Sequence, residues 1–165
     1  MIEVGDRMPE LTLRTVREFQ VVAIATGNYF AGRKVLLFGV PGAFTPTCSQ
    51  VHLPGYVAKS EELLASGIDA IACVSVNDPY VMAAWGEASG AAGKVEMLSD
   101  ADGDLARALG IEADFSSSGL GRRGRRFASV VDDGVFTTVA VEPARGVTVC
   151  GAEHLLEALH EVPSV

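Results

Sequence analysis

Two short apolar runs, with a helix-length segment between them, constrain the fold of this chain most strongly. Residues 35–40 (VLLFGV) and 71–76 (IACVSV) are almost entirely apolar. Such runs are typical of strands at the centre of a sheet that is covered on both faces. Residues 48–64 between them have helical character, and Ser66-Gly67 after them is a signal for the end of a helix. The chain therefore predicts two central strands joined through a helix.

Further signals extend this arrangement into a larger sheet. Asp78 and Pro79 suit the cap and the first position of a helix that continues to about Ala88. Asp133-Gly134 between two apolar runs predicts a β-hairpin. The other predicted elements are strands at 94–98, 127–131 and 135–141 and helices at 104–109 and 153–161. We expect an α/β fold with a mixed β-sheet and helices on both faces, formed by residues 1–165 as a single domain.

Charge and hydropathy exclude several classes of partner. The formal net charge of -8 argues against nucleic acid, because phosphate binding needs a basic surface. The longest mostly apolar stretch, residues 35–44, is shorter than the roughly 20 residues of a membrane span. The first residues lack the basic and apolar regions of a secretory signal. We therefore expect a soluble, cytoplasmic protein without nucleic-acid or membrane partners.

The cysteines point to thiol chemistry rather than to metal binding. Cys48, Cys73 and Cys150 form no CxxC pair, and the three histidines show no metal-ligand spacing. A small, odd number of cysteines in a cytoplasmic chain indicates buried or catalytic thiols. No metal and no tightly bound cofactor are expected.

Cys48 follows a buried strand and begins a predicted helix, where open α/β sheets place their sites. Thr45 can cap this helix and Pro46 suits its first position, so Cys48 falls in the first turn. The unpaired amides and the helix dipole there stabilise a thiolate. The Thr45 hydroxyl and the Cys48 amide could hold the two oxygens of a peroxide, while Pro41 and Phe44 shield the sulfur.

The stretch from Pro41 to Cys48 reads PxxxTxxC and resembles the active-site motif of peroxiredoxins. The longer block FGVPGAFTPTCS at 38–49 is similar to the type II, or peroxiredoxin-five-like, subfamily. Further similar blocks are HLPG at 52–55, VSVND at 74–78, WG at 85–86, Arg126-Phe127 and VEP at 141–143. The resemblance covers nearly the whole chain. It implies a thioredoxin-like fold, a homodimer, and reduction of hydrogen peroxide and alkyl hydroperoxides through a sulfenic acid on Cys48.

The resemblance also implies roles for individual residues. Pro41, Thr45 and Cys48 match the motif, and Arg126 matches the arginine that stabilises the thiolate and the transition state. Gly42 and Phe44 are expected to line the substrate pocket. His52 is interpreted as a structural residue of the helix rather than as a base, because a thiolate at a helix start needs none.

The thiol that reduces the sulfenic acid stays open at this point. One route is direct reduction by an external thiol such as glutathione, glutaredoxin or thioredoxin. The others are intramolecular disulfides with Cys150, which matches a resolving position of some members, or with Cys73. Cys73 lies in a core strand and reads as a small buried hydrophobe. Cys150 precedes a predicted helix and is interpreted as a surface thiol at the cap of that helix.

Two other functions compete with the peroxidase. A thioredoxin-like disulfide oxidoreductase lacks support, because Cys48-Ser49-Gln50-Val51 has no second cysteine. A non-enzymatic redox sensor or chaperone on the same fold would not need Thr45 and Arg126, so their presence favours catalysis. The sequence does not determine the preferred peroxide or the dimer geometry.

Overall fold

The computed structural model describes residues 1–161 and contains nine strands and six α-helices within that range. The strands are β1 Thr12–Arg17, β2 Gln20–Ala25, β3 Lys34–Gly39, β4 Ala70–Ser75, β5 Glu96–Ser99, β6 Glu112–Asp114, β7 Arg122–Gly124, β8 Phe127–Asp132 and β9 Val135–Val141. The helices are α1 Thr26–Tyr29, α2 Leu53–Ala58, α3 Ser60–Ala65, α4 Pro79–Ala88, α5 Asp104–Ala108 and α6 Ala152–Glu161. A π-helical turn, Cys48–His52, precedes α2. Within residues 1–161 no helix is long and apolar enough to cross a membrane.

Seven strands form one mixed sheet in the order β2-β1-β5-β4-β3-β8-β9, and β6 pairs with β7 separately. The central strands β3, β4 and β5 run parallel, whereas β8 and β9 extend the sheet in antiparallel fashion. The predicted α/β class is confirmed, and the two apolar runs are the adjacent strands β3 and β4 at its centre.

The two faces of the sheet carry separate hydrophobic clusters. Leu36 and Phe38 of β3 belong to one cluster, whereas Val35 and Leu37 belong to the other. This alternation follows from the two-residue period of a strand. The first cluster also contains Cys48, so the reactive-site segment packs directly onto the sheet.

Local turn and cap signals account for two predicted elements. Asp133 and Gly134 both have positive φ, 47° and 80°, as a two-residue hairpin turn between β8 and β9 requires. The Asp78 carboxylate accepts a hydrogen bond from the Val81 amide at 2.9 Å, so it caps α4 as predicted.

The helical segment after Cys48 is broken rather than continuous. The Leu53 amide donates to the Cys48 carbonyl five residues earlier, which makes the first part a π-helical turn. Pro54 follows directly; it has no amide hydrogen, and its ring would clash with the carbonyl four residues before it in a regular helix. The wider turn relieves this clash and leaves Cys48 and His52 on a segment with non-α spacing.

Candidate active site

The loop between β3 and the π-helical turn folds back on itself at Phe44. Phe44 has a φ of 61°, in the left-handed region, and its side chain is exposed. The Thr45 hydroxyl donates to the Gly42 carbonyl at 2.7 Å, and the Thr45 carbonyl accepts from the Ser49 amide at 2.9 Å. Thr45 therefore begins the helical segment through its backbone. The prediction that its side chain caps the helix is wrong, because within residues 1–161 no helix amide donates to the Thr45 hydroxyl oxygen, which contacts the Gly42 carbonyl instead.

Two side chains from distant elements fix this loop. Arg123 donates from Nη1 to the Pro41 carbonyl at 3.2 Å and from Nε to the Leu120 carbonyl at 2.9 Å. The Ala43 amide donates to Asn77 Oδ1 at 2.9 Å. The backbone around the motif is thus held by groups more than 30 residues away, which the motif itself does not reveal.

Cys48 is buried, and its sulfur accepts a hydrogen bond from Arg126. The distance from Arg126 Nη2 to Cys48 Sγ is 3.2 Å. The sulfur of Cys48 and the guanidinium of Arg126, 78 positions apart, are therefore brought into direct contact. Trp85, the only tryptophan, donates from Nε1 to Ser49 Oγ at 2.9 Å and anchors the residue after the cysteine.

His52 contacts the terminal guanidinium nitrogen of Arg126 that does not contact the sulfur. Its Nδ1 lies 2.8 Å from Arg126 Nη1 and its Nε2 lies 3.1 Å from the Cys150 carbonyl. Since a guanidinium only donates, Nδ1 accepts and the ring proton sits on Nε2. Burial, followed by the charge of Arg126, lowers the pKa of His52 to about 3. His52 stays neutral near pH 7, and its contacts are those of a structural residue rather than of a base.

The other two cysteines are enclosed. Cys73 is fully buried in β4, and burial raises the pKa of its thiol well above the ordinary value. Cys150 is also fully buried, so the prediction of a surface thiol is wrong. Its Sγ donates to the Ala140 carbonyl at 3.1 Å, and burial, followed by the charge of Glu142, raises its pKa to about 12. Neither thiol forms a disulfide, and neither favours the thiolate.

Glu142 is the residue that holds Cys150 in place. Its buried carboxylate accepts hydrogen bonds from the amides of Thr148, Val149 and Cys150 and from the Thr148 hydroxyl, all within 3.0 Å. Burial alone would raise the pKa of Glu142, but the bonds from Thr148, Val149 and Cys150 outweigh it and lower the pKa to about 2. Glu142 lies in the VEP block at 141–143, but the sequence alone assigned it no role.

This ionised carboxylate should make the fold acid-sensitive. A folded pKa of about 2 against an ordinary 4.5 contributes stability above pH 4.5 that is lost as the pH falls towards 2. Glu142→Gln keeps the shape and the main acceptor but removes the charge, so we expect roughly 2–3 kcal/mol less stability at pH 7. Urea unfolding at stepped pH measures it. The gap between wild type and variant should shrink below pH 4.5, and a constant gap down to pH 3 would contradict the assignment.

A cavity of about 570 Å³ opens onto the sulfur. Besides Cys48, its lining comes from the motif, from the segment before β8 and from the loop after β9: Pro41, Thr45, Pro46, Thr47, Ala113, Phe115, Ser118, Leu120, Arg125, Arg126, Glu142, Pro143, Ala144, Arg145 and Gly146. Gly42 and Phe44, expected in the substrate pocket, do not line this cavity. Within residues 1–161 no group of histidine, cysteine and carboxylate side chains has the arrangement of a metal site.

Comparison with known proteins gives a consistent result. The model of the redoxin family matches residues 3–156. The chain is 48% identical over 163 residues to the chloroplastic peroxiredoxin-2E-2 of Oryza sativa, covering 96% of this chain and 72% of that protein. It is 46% identical over 159 residues to peroxiredoxin-2C of Arabidopsis thaliana, covering 96% and 98%. The crystal structure of reduced Prx3 from Vibrio vulnificus in complex with H2O2 superposes with a TM-score of 0.92 at 46% identity, covering 96% and 99%.

These comparisons correct one expectation from the sequence. The prediction of a cytoplasmic location is wrong, because the rice relative at 48% identity is named as a chloroplastic protein. The features from which the location was predicted, net charge and the first residues, thus did not identify the compartment.

Proposed function

The chain belongs to the redoxin family as a type II peroxiredoxin, a thiol-dependent peroxidase, and we propose that Cys48, Thr45 and Arg126 carry out its chemistry. The observation that supports this assignment is the 3.2 Å contact between Arg126 Nη2 and Cys48 Sγ beside an open cavity. The guanidinium lies where it can hold the sulfur and the charge that develops during its oxidation, and the cavity gives a hydroperoxide access to it.

In the first step the Cys48 thiolate attacks the terminal oxygen of a hydroperoxide ROOH. The S–O bond forms, the O–O bond breaks, and the departing RO⁻ takes up a proton and leaves as ROH. Sulfur is oxidised to the sulfenic acid Cys–SOH. Negative charge moves from sulfur to the leaving oxygen, and the Arg126 guanidinium can stabilise it at both stages.

Thr45 and Pro41 complete the site. The Thr45 hydroxyl donates to the Gly42 carbonyl, so its oxygen remains available to accept the O–H of the hydroperoxide. The Cys48 amide lies in the first helical turn, where amides have no partner within the helix, and can donate to the departing oxygen. Pro41 lines the cavity with an apolar ring that can shield the sulfur, and it offers no amide hydrogen as a competing donor.

We further propose that an external thiol, glutathione with glutaredoxin or alternatively thioredoxin, reduces the sulfenic acid. Cys–SOH and R′SH give the mixed disulfide Cys–S–SR′ and water, and a second thiol releases Cys48 with R′SSR′. The burial of Cys150 supports this route. Its amide donates to Glu142, and its carbonyl accepts from His52 and from the Tyr56 hydroxyl at 2.6 Å. A Cys48–Cys150 disulfide would require these bonds to break, and a bond to Cys73 would require exposure of β4.

Turnover with defined reductants tests both proposals. We expect the purified protein to consume hydrogen peroxide with glutathione and glutaredoxin. Cys150→Ser should retain this turnover, because an external thiol reduces the sulfenic acid. Peptide mapping after peroxide and glutathione treatment should find glutathione on Cys48. A protein without turnover under any thiol would refute the peroxidase site, whereas a dominant Cys48–Cys150 peptide would refute only the external route.

The homodimer implied by the family resemblance stays a prediction. It is supported by three exposed large apolar side chains in and near the motif, Phe44, Val51 and Tyr80, because such residues often mark an interface. The bond between Ala43 and Asn77 ties the Phe44 loop to the segment that precedes Tyr80. The mass in solution at micromolar concentration tests the prediction, and a monomer would contradict it.

A further inference from the structure

The cavity at Cys48 is larger and more basic than hydrogen peroxide requires. Its volume of about 570 Å³ falls within the roughly 300–1,000 Å³ of sites for drug-sized molecules, and it would leave most of its lining out of reach of a four-atom substrate. Three arginines, Arg125, Arg126 and Arg145, line it. The chain as a whole carries a net charge of -8, so the cavity has the opposite sign to the protein around it.

The lining keeps an excess of positive charge, because three arginines face one ionised carboxylate. Glu142 is the one acidic residue among the lining side chains, and its carboxylate is taken up by the backbone of residues 148–150. Across residues 1–161 the ion pairs involve other cations, namely Arg14, Arg33, Lys59, Arg107 and Arg122. The cavity therefore retains an attraction for an anion.

The three arginines differ in how much hydrogen-bonding capacity they keep. Arg126 donates to Cys48 and to His52, and it belongs to the chemical step. Arg125 is half-buried and donates from Nη2 to the Glu142 carbonyl at 3.1 Å, which leaves its other N–H groups available. Arg145 is exposed on the loop after β9. A planar guanidinium matches the two oxygens of a carboxylate.

Most of the remaining lining is apolar, with Thr45, Thr47 and Ser118 as its polar members. Phe115 and Leu120 contribute the larger apolar side chains, and Pro143 and Ala144 directly precede Arg145 in the chain. An apolar wall that ends at arginines fits a molecule with a hydrocarbon body and an anionic end. Small neutral peroxides would use neither feature.

We propose that Arg145, assisted by Arg125, binds the carboxylate of an amphipathic small molecule whose reacting group is delivered to Cys48. The inference rests on the peroxidase function proposed above and adds the class of ligand. Two sources share this chemistry: an organic hydroperoxide that carries a carboxylate, in the oxidising step, and glutathione, in the reducing step. In both cases the carboxylate selects the ligand and takes no part in bond breaking.

Matched pairs of acid and ester separate these sources. In the oxidising arm, linoleic acid hydroperoxide and its methyl ester, both below their micelle concentrations, oxidise reduced protein in stopped flow. In the reducing arm, glutathione and its diethyl ester reduce the sulfenic acid. Each arm yields a ratio of rate constants, acid over ester, at 0.15 M salt, which screens distant charges. The variants are Arg145→Gln and, as a control for charge, Arg122→Gln, whose side chain is exposed in the same arginine-rich segment but outside the cavity.

We expect the ratio in at least one arm to fall about fivefold in Arg145→Gln and to remain at the wild-type value in Arg122→Gln. The arm that changes identifies the source of the carboxylate. Equal ratios in all three proteins, or an equal fall in both variants, would overturn the subsite. A wild-type protein that reacts with no hydroperoxide would instead refute the peroxidase site itself, so the two failures are distinguishable.

Discussion

Cys48→Ser is expected to reduce thiol-dependent peroxide consumption to the rate of the protein-free reaction. Serine keeps the size of the side chain, but its hydroxyl stays protonated next to Arg126 and is not oxidised to a sulfenic-acid equivalent. The hydrogen bond from Arg126 Nη2 can still be accepted by an oxygen, so the fold should be retained. Peroxide loss in the presence of glutathione and glutaredoxin measures the effect, and urea unfolding confirms that the variant is folded.

Cys73→Ala is the matched control for this experiment. Cys73 is fully buried, and its thiol is held protonated by burial, so its loss should leave peroxide consumption near the wild-type rate. The pair separates a specific requirement for the sulfur at position 48 from a general effect of removing a core cysteine. Substantial turnover in Cys48→Ser, or equal losses in both variants, would contradict the assignment of the nucleophile.

Much of the fold was predictable because its signals are local. The Asp133-Gly134 turn and the Asp78 cap act within a few residues, and both are found where the sequence indicates. The hairpin of β1 and β2 was not predicted, because its turn carries no such local signal. Its turn is formed by Glu18 and Phe19, with φ values of 51° and 67°, and neither residue type favours that conformation. The turn is held in this conformation by the pairing of β1 with β2 and with β5.

The residues of the site also divide into those that the sequence identified and those that it did not. The spacing of the motif identified Cys48 and Thr45, and the resemblance supplied Arg126. The contact of His52 with Arg126 joins residues 74 positions apart, and no local rule predicts it. Cys150 was misplaced at the surface because a residue before a helix is usually exposed, whereas four hydrogen bonds to Glu142 draw its loop inward. The single-domain organisation of residues 1–165 stays a prediction.

Arg126→Ala is expected to slow the oxidation of Cys48 by a factor of about 10²–10³, the usual cost of removing one well-aimed donor to a developing charge. The contacts of Arg126 indicate that this variant loses more than one hydrogen bond. Arg126 Nη2 contacts the sulfur and Nη1 contacts His52, so the truncation removes the donor and leaves the buried Nδ1 of His52 without its partner. Some loss of stability should accompany the loss of rate.

Two further variants separate these effects. Arg126→Lys keeps the charge but offers one ammonium in place of a planar fork, so it cannot reach the sulfur and His52 together and should recover only part of the rate. Arg122→Ala removes an exposed arginine outside the cavity and serves as the control. Trp85, bonded to the residue after Cys48, gives a fluorescence signal for single-turnover oxidation in stopped flow. An oxidation rate in folded Arg126→Ala equal to that of Arg122→Ala would remove Arg126 from the chemical step and restrict it to packing beside His52.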